Sequence, residues 1–238
     1  MNYIVLDTET ADTVHWKDGQ AHPETSLVYD MGWIVVDGDN GAILERRSFV
    51  VSETFNNNDL MNSAYYADKL PQYKAGLNID WIEDSFLNIF NQFKTDVKDY
   101  SVRNIWAYNA RFDETVLNNT CKTYSNGFVR WFKPYRCKMK DIWDYASCIT
   151  GTKKYVNWCI ARNAVSPKGN PQTSAEMVYR FLIGDDEFIE SHTALADCEI
   201  ENYILQAAKK RHKRTRHSKG QGWRDAAKVK KEMDKGAN

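Results

Sequence analysis

The chain has 238 residues, 42% of them hydrophobic and 13% aromatic, enough apolar material to build one large or two small domains around a substantial core. No stretch approaches the roughly 20 apolar residues of a membrane span, and the opening MNYIVLDTETAD turns acidic after a few apolar positions, so neither a membrane protein nor a secretory leader is expected. The net charge of zero hides a division: residues 209–238 hold 12 Lys and Arg against 3 Asp and Glu, and residues 1–208 hold 20 against 29. A basic tail on an acidic body suits a polyanionic partner, and equally suits a solvated terminus.

The elements follow in order. Asn2–Leu6 reads as a short buried strand running into Asp7, and residues 27–51 read as two strands joined at Asp39-Asn40-Gly41, so the chain opens as a β-meander. Residues 12–26 and 52–60 are polar connections. From Trp81 a helical period begins, with Ile82, Phe86, Ile89, Phe90 and Phe93 on one stripe. A strand at Asn104–Tyr108 and a helix over 110–123 follow, then a strand over Tyr135–Lys140 and a helix over Asp141–Thr150. Two further helices cover 155–163 and Thr173–Ile183, the second with Thr173 and Glu176 as a capping box. The last patterned helix begins near Ser191 or His192 and runs into KKRHKRTRHSKGQG. A meander followed by alternating strands and helices predicts an α/β fold with a mixed central sheet covered by helices.

Cys121, Cys137, Cys148, Cys159 and Cys198 form no Cys-x-x-Cys couple, and an odd number cannot all pair within one chain. Reduced, mostly buried thiols and a reducing, cytoplasmic setting are the expectation. Cys137, Cys148 and Cys159 recur every eleven residues, but their apolar neighbours favour packing over a zinc site.

Three acidic places carry chemistry. In Asp7-Thr8-Glu9, strand alternation puts both carboxylates on one side, where their mutual repulsion invites a divalent cation; alone, such a triplet is equally an acidic turn. Asp113 falls in the first turn of a helix after a strand, where the helix dipole by itself would favour an acid. His192 and Asp197 stand five residues apart, and Asp197 lies between Leu195 and Ile200 in an apolar helix, so its burial calls for a partner.

Taken together, DTET at 7–10, YNARFD at 108–113 and HTALAD at 192–197 resemble, in order and spacing, the three motifs of the DEDDh (DnaQ-like) 3′→5′ exonucleases, a ribonuclease-H-like family that includes polymerase proofreading subunits. Three ordered motifs are far more specific than any one. YDMGWIVVDGDNGAILERRSFVV is similar to that family's second and third strands, and TSAEMVYRFLIGDDEFIESHTALAD to phage-encoded members, for which the compartment would be the host cytoplasm. The resemblance spans residues 1–208 and leaves 209–238 as a basic tail, with WRDAAKVKKEM at 223–233 patterned as a short basic helix suited to nucleic acid or a protein partner.

The resemblance implies Asp7, Glu9, Asp113 and Asp197 as ligands of two Mg²⁺ or Mn²⁺ ions and His192 as general base for hydrolysis at a single-stranded DNA 3′ end, releasing nucleoside 5′-monophosphates. Thr8, Thr10, Asn109 and Phe112 would line the nucleotide pocket. The chain departs from the family at Tyr108, Ala11-Asp12 and Cys198, none of them a ligand position. An RNA-trimming exoribonuclease would need the same five residues. A non-catalytic nucleic-acid-binding protein working through its tail is the reading of another class.

Overall fold

The computed structural model describes residues 1–13, 22–64, 67–76, 80–127, 131 and 139–212. They fall into two compact units, one of residues 1–141 with 191–199, the other of residues 142–190 with those from 200 onward. In the first, β1 (Tyr3–Asp12), β2 (Ser26–Val36) and β3 (Ile43–Val51) form the expected antiparallel meander. The turn between β2 and β3 closes through Asp37 and Ala42, with Gly41 at φ 81°, a conformation that suits glycine. Two single-turn helices, α1 (Ser52–Phe55) and α2 (Asn58–Met61), then lead to α3 (Leu70–Ala75). They occupy what the sequence predicts as a plain polar connection. Next come β4 (Ile82–Asp84), α4 (Phe86–Asp99), β5 (Asn104–Ala107), α5 (Ala110–Tyr124) and β6 (Met139–Asp141).

The sheet order is β4-β3-β2-β1-β5-β6, with β1–β5, β5–β6 and β3–β4 parallel. It is therefore mixed, as predicted, and β1 lies inside it. Ile4 and Leu6 of β1, with Val28, Met31, Trp33 and Val35 of β2, pack against Phe86, Ile89, Phe90 and Phe93 of α4 and Val116, Leu117 and Cys121 of α5. Strand alternation then turns Asp7 and Glu9 to the opposite face. Within the core the Trp33 indole donates to Asp96 Oδ2 at 3.0 Å, and the Arg47 guanidinium meets the same oxygen at 3.1 Å. A buried carboxylate thus has both a neutral and a charged donor.

The second unit contains α6 (Ile142–Thr150), α7 (Lys153–Ala161), α8 (Ala175–Ile183) and the larger part of α9 (Ala194–His212), whose first turn belongs to the first unit. Among the described residues no helix is long and apolar enough to cross a membrane.

Several boundaries differ from the sequence reading. Ile82 does not begin a helix; it lies in edge strand β4, 59% exposed, and α4 starts after Ser85, whose side chain accepts from the Asn88 nitrogen. Thr173 is not the cap of α8: Ser174 is, while Thr173 accepts from the Trp143 indole at 2.9 Å and Glu176 pairs with Arg180 one turn on. Strand β6 covers only the end of the predicted strand, whose earlier residues, like Cys137 and the predicted helix at 223–233, lie outside the described residues. Cys121, Cys159 and Cys198 are buried free thiols and Cys148 is half-buried.

Candidate active site

Asp7 and Glu9 sit within β1, paired in register with Gly32 and Asp30 of β2. Opposite residues of an antiparallel pair project to the same face, so this face carries Asp7, Glu9 and Asp30 around a position without a side chain. The gap at Gly32 is filled by backbone. A Cβ built there would lie against the Leu195 nitrogen, 2.5 Å from the Ala194 carbonyl carbon and 2.6 Å from Leu195 Cα. Glycine therefore lets the first turn of α9 settle onto the sheet beside the two acids, and Cys198 adds an Sγ contact to the Gly32 oxygen at 3.3 Å.

That approach gathers residues from the two ends of the sequence. One ligand atom each from Glu9, His192 and Asp197 lies within 4.8 Å of the others. Glu9 is 5% exposed and Asp197 6% exposed, so two acids and an imidazole share a largely dehydrated space. Divalent cations bind carboxylate oxygens at about 2.0–2.6 Å, and donors on opposite sides of one ion then stand roughly 4–5 Å apart. The spacing thus fits a divalent cation, which the two carboxylates would hold with the imidazole beside it. Asp7 is half-buried on the same face and lies outside this tight group.

Asp113 approaches from the other side of the strand. It stands in the first turn of α5, 2% exposed, and accepts a hydrogen bond at 2.8 Å from the hydroxyl of Thr8, the residue between Asp7 and Glu9. Burial pushes its carboxyl up to about 7; the Thr8 hydroxyl opposes the rise and the charge of Asp141 adds to it. The structure brings Asp113 to the strand that carries the acid pair without placing it in the Glu9, His192 and Asp197 group.

Two backbone turns hold these segments. Asn109, at φ 59°, precedes α5, and its N–H donates to Asp141 Oδ1 at 3.0 Å at the end of β6. His192, at φ 53°, precedes α9, which begins at Ala194 and not at His192 as the sequence suggests. For a non-glycine residue the left-handed region costs on the order of 1–2 kcal/mol, and Asn and His are among those that tolerate it best. Ser101, Asn126 and Asn163 share this conformation outside the motifs, so the positive φ by itself does not mark the site.

The residues expected in the nucleotide pocket are placed unequally. Thr8 and Thr10 are buried, Phe112 is half-buried against the core cluster, and Asn109 is exposed. The sequence reading passed over Asp141 and Asp30. Asp141 closes a three-residue strand, too short to show a period. Asp30 is fully enclosed in an all-buried strand, its carboxyl pushed up to about 6 by burial and held back by the Ala194 N–H. Its signal was present: an acid in the middle of SLVYDMGWIVV.

The chain matches no family model and no curated protein. Among solved structures it is similar to exonuclease I of E. coli. The complex of that enzyme with a dA16 oligonucleotide aligns with TM-score 0.56 and 15% identity over 90% of this chain and 41% of the other. A zinc-ion-bound form of its complex with single-stranded DNA gives TM-score 0.54 and 15% identity over the same shares. Exonuclease I without ligand gives 0.57 and 16% over 90% and 43%. The chain thus spans less than half the length of those proteins. At this identity the likeness shows the fold: a ribonuclease-H-like mixed sheet flanked by helices.

Proposed function

We propose that the chain is a metal-dependent 3′→5′ exonuclease that hydrolyses the terminal phosphodiester of single-stranded DNA and releases nucleoside 5′-monophosphates. The observation that carries this reading is the gathering of Glu9, His192 and Asp197, from opposite ends of the sequence, within 4.8 Å. Burying two carboxylates together is unfavourable unless a cation or a shared proton accompanies them, and a polar cluster of this kind at a sheet suits phosphodiester chemistry. The fold shared with exonuclease I, some of whose structures hold single-stranded DNA oligonucleotides, supports DNA over RNA as the first substrate to test.

In this reading Asp7, Glu9, Asp113 and Asp197 hold two Mg²⁺ or Mn²⁺ ions. Bound there, the ions offset charge on the scissile phosphate and favour both the attacking and the leaving oxygen. The chain's own residues do the rest. His192 accepts the proton of the attacking water, a role open to an imidazole side chain at neutral pH. Thr8 fixes the Asp113 carboxylate through its hydroxyl, and β1 sets the separation of Asp7 and Glu9. Exposed Asn109 and half-buried Phe112 are the pocket residues best placed to meet a nucleotide, and Thr10 supports the strand from within. The basic residues of the 209–238 tail add long-range attraction to the phosphate backbone.

Digestion of one oligonucleotide labelled at either end tests this reading. Early release of labelled mononucleotide from the 3′-labelled strand alone, with Mg²⁺ and not with EDTA, is expected. Activity that survives EDTA, or an unchanged rate in Asp7→Ala, removes the proposal. Faster trimming of an RNA of the same sequence transfers it to an exoribonuclease.

A further inference from the structure

The general-base assignment raises a structural question, because His192 is held in the left-handed region by a segment with no regular structure of its own. Two side chains from elsewhere in the fold fasten that segment. The Tyr73 hydroxyl, from α3, donates to the His192 carbonyl oxygen at 2.7 Å. Asp30 Oδ2, from β2, accepts from the Ala194 N–H at 3.0 Å, at the first residue of α9. One bond takes a carbonyl and the other an N–H, and they bracket the peptide units that turn the chain into the helix.

We infer that Tyr73 and Asp30 are positioning residues for the proposed reaction: together they fix the backbone on both sides of Thr193 and so set where the His192 imidazole stands relative to Glu9 and Asp197. The inference rests on the exonuclease reading and adds two residues to it.

The placement of both groups is specific. Tyr73 is fully buried, packed edge-on against Tyr29 with ring centroids 5.7 Å apart, so its phenol has little freedom to point elsewhere. Burial and the nearby Asp30 raise its titration far above the usual phenol range, so the hydroxyl stays protonated, with the Asp30 carboxylate a second acceptor beside the His192 carbonyl. Asp30 is 1% exposed and pairs in register with Glu9, so one β1–β2 pair carries both a proposed ligand and an anchor of the histidine segment. At the start of α9 a carboxylate also meets the positive end of the helix dipole and one of its unpaired N–H groups.

An enzyme base displaced by a fraction of an ångström loses rate while substrate binding is largely retained. Tyr73→Phe keeps the ring and its packing and deletes only the donor. In single-turnover assays with Mg²⁺ it is expected to slow nucleotide release about tenfold, the factor that corresponds to the loss of roughly one hydrogen bond, with KM changed less than twofold. The same substitution made on His192→Ala should slow it no further, because the group it positions is gone. Asp30→Ala should behave alike, whereas Asp30→Asn, which retains an acceptor for the Ala194 N–H, should recover most of the rate.

A tenfold loss that persists in full on the His192→Ala background would show general weakening of the fold and overturn the inference, as would an unchanged rate in Tyr73→Phe. An intact chain that releases no nucleotide removes the exonuclease reading, and this inference with it. An active chain indifferent to Tyr73 and Asp30 removes the inference alone.

Discussion

Gly32→Ala places one methyl group where the sheet and α9 come closest. The new Cβ would stand 2.5 Å from the Ala194 carbonyl carbon and 2.6 Å from Leu195 Cα, both backbone atoms, against an ordinary contact of 3.4 Å or more. No side-chain rotation relieves this, so the first turn of α9 must retreat by roughly 1 Å or β2 must bow away from it. Overpacking of this kind costs about 1–3 kcal/mol, and a 1 Å displacement of catalytic groups costs on the order of 100-fold in rate. Both losses are expected together, because the turn that moves carries Asp197 and adjoins His192 while Asp7 and Glu9 stay with β1. The assay is Mg²⁺-dependent release from a 3′-labelled oligonucleotide at a temperature where a parallel melt shows the variant fully folded. A folded Gly32→Ala protein with the parental rate would refute the idea that this backbone contact sets the site.

Thr8→Val keeps the shape of the side chain and deletes the only hydroxyl it offers to Asp113. A loss of about 1–3 kcal/mol in stability and weaker Mg²⁺ activation are expected, read by chemical denaturation and by a metal titration of the rate. In EDTA the folded-state carboxyl of Asp113, near 7, lies above its ordinary value of 3.8, so the native state holds the proton more tightly than the unfolded chain. The associated stability is present in full below pH 4 and is lost as pH rises through 7; denaturation between pH 5 and 8 should show a fall that Asp113→Asn makes shallower. Asp96→Ala strips the Trp33 indole and the Arg47 guanidinium of their shared acceptor and should destabilise by about 2–4 kcal/mol. The folded fraction of that variant should retain its nuclease rate, since Asp96 belongs to the face away from Asp7. Removal of residues 213–238 should leave the chemistry intact and flatten the dependence of KM on salt, checked between 50 and 200 mM salt; lost chemistry would give the tail a role in the site (both concentrations approximate).

The sequence was most informative where a period or an ordered motif did the work. The meander was legible because the apolar run of β2 and the strand ILERRSFVV of β3 flank the turn residues Asp39-Asn40-Gly41, and the shared face of Asp7 and Glu9 follows from alternation alone. Periodicity failed at its margins. Ile82 fits a helical stripe by count, yet Ser85 starts the helix, because a cap outweighs one more apolar match. Ser174 displaces Thr173 for a tertiary reason: the Thr173 hydroxyl is taken by an indole thirty residues away. His192 reads as a helix start because nothing in HTALAD announces a left-handed turn. Tyr73 was illegible altogether, since its partner is a backbone carbonyl 119 positions further along.

The first unit is discontinuous, built from residues 1–141 and the short return segment 191–199. A chain emerging from synthesis therefore completes its meander and most of its sheet long before His192 and Asp197 exist to join Glu9. On the exonuclease proposal, fragments truncated before residue 191 lack His192 and Asp197 and are expected to release no nucleotide. The same interruption offers a complementation test, in which a fragment ending near 141 is expected to bind a divalent cation only when the remainder of the chain is supplied.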